Sequence, residues 1–211
     1  GARVDERAAL PADQRPDDLI TLLVETEIDG EPLDRRHLLG TCFLLLLAGI
    51  DTTWSAIGSS LWHLATHPED QARLRAEPDL IDSAVEELLR VYSPVTMARE
   101  VIADVDVAGC PMKPGDKVLM SFPAANRDPA HFEKPDEFII DRERNRHVAF
   151  GSGIHRCLGS NLARMELRVA IQEWLTRIPT FELADPAAVT WTGGQVRGPR
   201  TIPVRWSVTQ P

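Results

Sequence analysis

A stretch of 35 residues without proline, 33–67, restricts the fold of this chain more than any other feature. It lies between Pro32 and Pro68 and is long enough for a helix of about nine turns, with Pro32 at the favoured first helical position. Its middle, Leu38 to Ile50, is apolar on all sides, which predicts a helix buried in protein. Because this apolar run is too short to span a bilayer and ends at Asp51, we expect no membrane association.

The composition is that of a globular protein from a reducing compartment. The chain has 211 residues, of which 43% are hydrophobic, enough for one sizeable domain or two small ones. Its net charge of −9 argues against nucleic acid as a bulk partner. Cys42, Cys110 and Cys157 are odd in number and far apart, so they predict neither a disulfide framework nor a CxxC zinc site. The first residues do not resemble a secretory signal, and we expect a cytoplasmic protein.

The remaining pattern predicts a mainly α fold with small antiparallel β-hairpins. Acids before residue 19 and the Asp29-Gly30 turn predict the start and the end of a first helix. Two shorter helices are expected at EDQARLRAE and DLIDSAVEELLRVY. Residues 99–123 and the tail VTWTGGQVRGPRTIPVRW predict hairpins, with a long irregular loop over 124–156.

A last long helix is expected from Leu158 to Ile178. Two apolar rows follow helical spacing there: Leu158, Leu162, Met165 and Val169, and Leu167, Ile171, Trp174 and Ile178. Together these rows predict a wide buried face.

The stretch FGSGIHRCLG, residues 150–159, places Cys157 among three glycines just before this helix. Glycines allow close backbone approach and unusual dihedral angles. Amide groups at a helix N-terminus, with Arg156 beside them, favour the thiolate form that binds metals. A lone cysteine is more often a small buried apolar residue. The glycines and His155 make a metal ligand the better interpretation here.

The same stretch resembles, without a mismatch, the cysteine-ligand loop F-G-x-G-x-H-x-C-x-G of the cytochrome P450 (heme-thiolate monooxygenase) family. The resemblance implies that Cys157 is the axial thiolate ligand of the iron in heme b. It also implies that Gly151 and Gly159 let backbone amides approach the sulfur and that Phe150 shields the sulfur from water.

A second stretch, AGIDTT at 48–53, resembles the oxygen-activation motif of this family. By itself, a helix kink with satisfied polar groups explains an acid and two hydroxyls in an apolar helix equally well. The resemblance implies instead that Gly49 leaves room for O2 and that Asp51 and Thr52 relay protons.

A third match is the E-x-x-R sequence Glu87-Leu88-Leu89-Arg90, whose spacing brings both charges to one helix face. Most such pairs are exposed salt bridges of little energetic weight. Its place between the other two motifs resembles the buried pair that braces the loop before the heme ligand. Where the family often supplies a further arginine, this chain has Glu137, so Arg142 and Arg144 are the candidates for a third partner.

The resemblance also implies roles for residues outside these motifs. Arg99 and His155 match donors to the two heme propionates. Mostly apolar positions match those that face the substrate and imply a hydrophobic one, although core packing explains any single position equally well. These positions are Leu44, Leu47, Ala48, Gly49, Val95, Thr96, Gln195 and Val196.

The implied function is insertion of one oxygen atom from O2 into an apolar organic substrate. The resemblance runs from about residue 17 to the end and matches the carboxyl-terminal half of a bacterial soluble member. Residues 1–211 are therefore expected to be part of a single heme domain, with the absent amino-terminal half as a candidate partner. Arg156, Arg164 and Arg168 form either a solvated face or a docking patch for an acidic ferredoxin or flavodoxin-type electron donor.

Two other functions stay open at this point. One is a noncatalytic helical interaction module that binds no heme. The other is a hemoprotein that uses peroxide in place of an electron donor.

Overall fold

The computed structural model describes residues 1–207. Backbone contacts divide the chain into two compact units, one from Gly1 to Ile50 and the other from Asp51 onward. The structure is mainly helical with five two-stranded antiparallel sheets among the described residues, which confirms the predicted fold class.

The first unit contains two short helices, α1 (Ala2–Ala9) and α2 (Leu19–Val24), followed by a hairpin of β1 (Glu27–Ile28) and β2 (Glu31–Pro32). The prediction that α2 begins after the acids is confirmed, because the Asp18 carboxylate accepts a hydrogen bond from the Thr21 N–H at 3.0 Å. The Asp29-Gly30 turn joins the two strands instead of ending the helix, so that expectation was wrong. Asp29 and Gly30 both have positive φ, as tight hairpin turns require.

Helix α3 (Arg35–Thr66) is the long helix predicted from the proline-free stretch. It starts three residues later than Pro32, which lies in β2, because the Asp34 carboxylate accepts the N–H of His37 at 2.8 Å and caps the helix. By length and composition it is the one helix among residues 1–207 that could cross a membrane, a property shared with core helices of soluble proteins. The expectation of a buried helix was wrong for its first half, since Phe43 and Leu44 are 66% and 62% exposed.

The core of the second unit lies between its helices. These are α4 (Pro68–Ala76), α5 (Ile81–Val91), the short α6 (Phe122–Ala125) and α7 (Ser160–Arg177). Val85 and Leu88 of α5 are buried with Leu167 and Ile171 of α7. The buried Gln71 side chain ties α4 to the backbone of Phe181 by donating to its carbonyl and accepting from its N–H, at 3.0 and 3.1 Å.

Only one of the two apolar rows predicted on α7 is buried. Leu167 and Ile171 pack into the core, whereas the row that begins at Leu158 is exposed, as shown by Leu162 at 54% and Met165 at 55%. Helix α5 packs against the row that contains Leu167 and Ile171, and nothing among residues 1–207 covers the row that begins at Leu158. The prediction of a wide buried face was therefore half right.

The strands form short pairs, as the turn residues predicted. The pairs are β3 (Met97–Glu100) with β6 (Lys117–Met120), β4 (Val105–Val107) with β5 (Cys110–Met112), β7 (Phe181–Leu183) with β10 (Val204–Trp206), and β8 (Thr190–Thr192) with β9 (Gly198–Thr201). The sequence did not predict β7, because its partner lies beyond the neighbouring hairpin. Residues 126–152 form the irregular loop that leads to the cysteine.

Candidate functional site

Cys157 is an exposed, free thiol on the loop between a 3-10 helix (Gly153–His155) and α7. Its N–H donates to the carbonyl of Phe150 at 2.9 Å, which closes the loop. Gly151 and Gly153 have φ values of +69° and +63°, in the left-handed region that side chains with a β-carbon disfavour. Helix α7 begins three residues after the cysteine, slightly later than predicted.

The surroundings of Cys157 fit an apolar macrocycle with one axial protein ligand. Its neighbours Ile154 and Leu158 are 97% and 88% exposed and offer apolar surface beside the sulfur. A β-carbon at Gly159 would lie 4.0 Å from the cysteine Sγ, so glycine keeps this side of the sulfur open. Residues 1–207 contain no cluster of three or more side chains suited to hold a bare metal ion. The donor set is thus a single thiol, as in heme-thiolate sites.

Behind the loop, four residues from three segments form a contact group that we call the loop clamp: Glu86, His147, Phe150 and Arg164. The Arg164 guanidinium binds the Glu86 carboxylate with two hydrogen bonds, of 2.6 and 3.0 Å. It also lies 4.6 Å from the centre of the Phe150 ring. His147 Nε2 is 3.0 Å from the same carboxylate. Sequence reasoning missed this clamp, although it considered Arg164 as a surface residue.

The E-x-x-R residues form a fully buried ion pair. Arg90 binds Glu87 through two hydrogen bonds of 2.8 and 2.7 Å, and both side chains are 0% exposed. Of the two candidates for a third partner, Arg142 contacts Glu87, with its Nε 3.0 Å from Oε2. Glu137 contributes its backbone carbonyl, which accepts from Arg90 at 2.8 Å.

This ion cluster attaches α5 to the loop over residues 126–142. Arg90 also donates to the carbonyls of Asn126 and Pro135, at 2.9 and 2.7 Å. Burial by itself raises the pKa of Glu87, but hydrogen bonds from Arg90, the Ile139 N–H and Arg142 outweigh it and hold that pKa below its usual value. Glu87 is therefore charged, and its charge is neutralised inside the protein.

Asn126 is a second buried anchor of this loop. Its side-chain oxygen accepts the N–H of Val148 at 2.7 Å, and its amide nitrogen donates to Ser93 Oγ at 2.6 Å. These bonds connect the end of α5 with the segment just before the cysteine loop. No motif pointed to this residue, because a single asparagine in an irregular loop carries no distinctive sequence signal.

The proposed proton-relay residues lie near the middle of α3. Asp51 is exposed and Thr52 is half-buried. Because Asp51 reaches solvent, it does not incur the desolvation cost that a carboxylate buried in an apolar helix would have. Gly49, Ala48, Leu44 and Leu47 precede these residues on the same helix, within the first unit, and are exposed.

The structure brings together two of the predicted substrate-facing segments. Val95 forms an isolated antiparallel bridge with Val196. The Thr96 N–H donates to the Gln195 carbonyl at 3.0 Å. Val95 and Thr96 therefore lie beside Gln195 and Val196, although about 100 residues separate them in the sequence.

The proposed propionate donors are both exposed. Arg99 lies on β3 and donates to the Ala98 carbonyl at 2.9 Å, whereas His155 ends the 3-10 helix before the cysteine. Of the basic residues around the loop, Arg156 is exposed, and Arg168 lies 3.3 Å from the Asp82 carboxylate.

This chain is similar to proteins named cytochrome P450 in both sequence and structure. The family model described as Cytochrome P450 matches residues 2–186. Cytochrome P450 105C1 of a Streptomyces species is 42% identical over 98% of this chain and 54% of its own length. The cytochrome P450 monooxygenase PikC of Streptomyces venezuelae is 40% identical over 92% of this chain and 48% of its own.

A solved structure of a cytochrome P450 has the same fold as this chain. The bacillaene polyketide synthase cytochrome P450 PksS of Bacillus subtilis superimposes with a TM-score of 0.89 at 40% identity, covering 96% of this chain and 52% of that one. The chain belongs to the cytochrome P450 family. The family implies heme as the cofactor, and its complete members are oxidoreductases of the monooxygenase type. The chain spans about half the length of the curated relatives it matches.

Proposed function

We propose that this chain is the cysteine-ligand half of a heme-thiolate monooxygenase, the carboxyl-terminal portion of one heme domain. The observation that supports this most directly is the exposed Cys157 thiol, presented by a loop that its own N–H closes onto Phe150. The complete enzyme inserts one oxygen atom from O2 into an apolar organic substrate. Its bacterial relatives and the composition favour a cytoplasmic enzyme that receives electrons from a separate protein.

Cys157 would hold heme b through its sulfur. When bound, the heme iron would supply the reduction of O2 and the cleavage of its O–O bond. Gly151 and Gly159 leave the backbone close to the sulfur, and the half-buried Phe150 ring limits the access of water from the protein side. Arg99 and His155, both exposed, would hold the two propionates through charge-assisted hydrogen bonds.

Asp51 and Thr52 hold and move protons on the side of the substrate. A hydroxyl such as that of Thr52 is able both to donate and to accept a hydrogen bond, and the exposed Asp51 carboxyl group exchanges protons with solvent. Apart from its chain neighbours and the adjacent helix backbone, a β-carbon at Gly49 would meet no atom of residues 1–207 within 4 Å, which leaves room for O2 beside the helix.

Apolar side chains bind the substrate and exclude water. The apolar side chains matched to such positions are Leu44 and Leu47 on α3 in the first unit, and Val95 and Val196, paired by a bridge, in the second. For electron supply, the exposed Arg156 and Arg168 attract an acidic ferredoxin or flavodoxin-type protein.

The carbon monoxide spectrum of the reduced chain tests this proposal. The purified chain is mixed with hemin, reduced and exposed to carbon monoxide, and we expect the band at about 450 nm from which the family takes its name. Cys157→Ala should abolish this band, whereas the control Cys110→Ala, on β5, should retain it. Absence of heme uptake, or an unchanged band in Cys157→Ala, would overturn the proposal.

A second candidate, a noncatalytic interaction module, is favoured by the exposed apolar side chains on α3 and α7. Such a module needs no heme, so the same spectrum distinguishes the two functions. A chain that stays folded, takes up no hemin and binds a protein through these faces would support the module.

A further inference from the structure

We propose that Arg164 is a positioning residue for the cysteine loop: held by Glu86, its guanidinium group keeps the Phe150 ring in place and thereby maintains the backbone hydrogen bond between Phe150 and Cys157. The consequences for the bound heme rest on the proposed function. The contacts themselves do not depend on it.

The geometry of Arg164 is that of a fixed group. Its two hydrogen bonds to the Glu86 carboxylate, of 2.6 and 3.0 Å, fix the orientation of the planar guanidinium group. The same group lies 4.6 Å from the centre of the Phe150 ring, within the range of a cation–π contact. Its side chain is only 30% exposed, so much of this contact is shielded from water.

Glu86 is itself held by a second partner. The backbone N–H of Ala149 donates to Nδ1 of His147 at 3.2 Å, which leaves the proton of a neutral ring on Nε2. That Nε2–H donates to the Glu86 carboxylate at 3.0 Å. The acid therefore has its orientation fixed from both α7 and the loop before the cysteine.

The electrostatic balance of the clamp agrees with this arrangement. Burial raises the pKa of Glu86, but the hydrogen bonds from His147 and Arg164 outweigh it and lower that pKa to about 2. The hydrogen bond to Glu86 raises the pKa of Arg164, and Cys157 adds a smaller electrostatic effect in the same direction. The Arg164 charge thus lies within electrostatic reach of the cysteine as well as in contact with Phe150.

Phe150 carries the effect to the metal ligand. Its ring contacts Arg164, while its carbonyl accepts the Cys157 N–H at 2.9 Å. Without the contact to Arg164 the ring no longer restrains the backbone of Phe150, and the loop opens more often at this bond. Exchange of the Cys157 amide hydrogen therefore reports on the clamp directly, with or without heme.

The experiment is a double-mutant cycle read by hydrogen–deuterium exchange of the Cys157 amide in the full chain. We expect Arg164→Gln to speed this exchange by about tenfold. The control Arg177→Gln removes another ion pair on α7, with Glu173 at 2.7 Å, and should leave the Cys157 amide unchanged. In a Phe150→Leu background, Arg164→Gln should have no further effect, because the ring through which it acts is gone.

Equal exchange in Arg164→Gln and Arg177→Gln, or an equal effect of Arg164→Gln with and without Phe150, would overturn the proposal. If Arg164→Gln does not fold, Arg164→Lys decides by the same criteria, since it keeps the charge and loses the planar group.

A second readout uses the heme-loaded chain. Arg164→Gln should lower the share of the carbon monoxide complex that absorbs at about 450 nm, whereas Arg177→Gln should not. An unchanged share in Arg164→Gln counts against the clamp. If the chain takes up no heme at all, the proposed function fails, and amide exchange still decides whether Arg164 positions the loop.

Discussion

Glu87 is the shared hydrogen-bond acceptor at the centre of the buried ion cluster. Its carboxylate accepts hydrogen bonds from Arg90, Arg142, the Ile139 N–H and Asn145. Because Glu87 is fully buried, water cannot take its place as hydrogen-bond acceptor when the acid is replaced. The Glu87 carboxylate is thus one of the groups that attach the loop before Cys157 to α5, together with the direct bonds from Arg90 to loop carbonyls.

Glu87→Gln should lower the free energy of unfolding by about 3–5 kcal/mol, because the buried Arg90 then lacks a counter-charge. Urea denaturation followed by circular dichroism measures this loss. Glu182→Gln is the matched control, since it removes an exposed ion pair with Arg205 and should change stability little. Similar losses in both variants would show that Glu87 is not a buried anchor.

His63 makes the stability of the chain depend on pH. The ring is 0% exposed, with Nδ1 2.8 Å from the Tyr92 hydroxyl and Nε2 2.8 Å from the Asp70 carboxylate. Burial, together with the stacked His67, lowers the pKa of His63 from 6.5 to about 3. The ring is therefore neutral, receives the Tyr92 O–H at Nδ1 and donates from Nε2 to Asp70.

Between pH 6.5 and about 3 the unfolded chain binds a proton at His63 that the folded chain does not, so the free energy of unfolding falls as the pH is lowered. This single group gives a slope of at most about 1.4 kcal/mol per pH unit.

His63→Gln should reduce the dependence of the unfolding free energy on pH between pH 6.5 and about 5. Most carboxyl groups titrate below this range, so they contribute little to it. Urea denaturation at a series of pH values measures the effect. The exposed His131, as His131→Gln, is the control. An identical slope in His63→Gln and the unsubstituted chain would contradict the assignment.

At the scale of elements, helix α7 shows that an apolar pattern predicts a helix and its faces but not which face is buried. Its two rows have the same helical spacing, yet Ile171 is 0% exposed and Met165 is 55% exposed. Periodicity shows which side chains share a face, but the face that is covered depends on the neighbouring element. Here α5 packs against the row that contains Ile171.

This difference predicts unequal effects of shortening the two rows. Ile171→Ala should destabilise the chain by about 2–5 kcal/mol, since it leaves a cavity in the core. Met165→Ala should change stability by no more than about 0.5 kcal/mol. Thermal unfolding of both variants in the same buffer gives the comparison. A large loss for Met165→Ala would mean that this row is covered.

The parts of the site that sequence could predict are those encoded within a few residues. The E-x-x-R spacing gives the Glu87–Arg90 pair because residues three apart share a helix face. The contact between Glu86 and Arg164 spans 78 residues, and that between Glu86 and His147 spans 61, so no local pattern could indicate them. Arg142 was one of two candidates until the fold placed it against Glu87.

At the scale of the whole molecule, the main feature is the apolar surface that its long helix exposes. In the first unit, Phe43, Leu46 and Ile50 of α3 are 66%, 64% and 49% exposed. A contiguous apolar surface of this kind is uncommon on soluble monomers and promotes association. The chain spans about half the length of its curated relatives.

The exposed surface of α3 should therefore dominate the solution behaviour of the isolated chain. Replacing Phe43 and Leu46 together by glutamine should lower both self-association and the binding of an apolar fluorescent dye, because it removes two large exposed apolar side chains. Light scattering after size-exclusion chromatography, over a range of concentrations, measures the association. The unfolding midpoint of this variant should stay unchanged, whereas the control Leu64→Gln, at a fully buried position of the same helix, should lower it strongly. Unchanged association together with a lowered midpoint in the Phe43 and Leu46 variant would show that these side chains are packed within the chain.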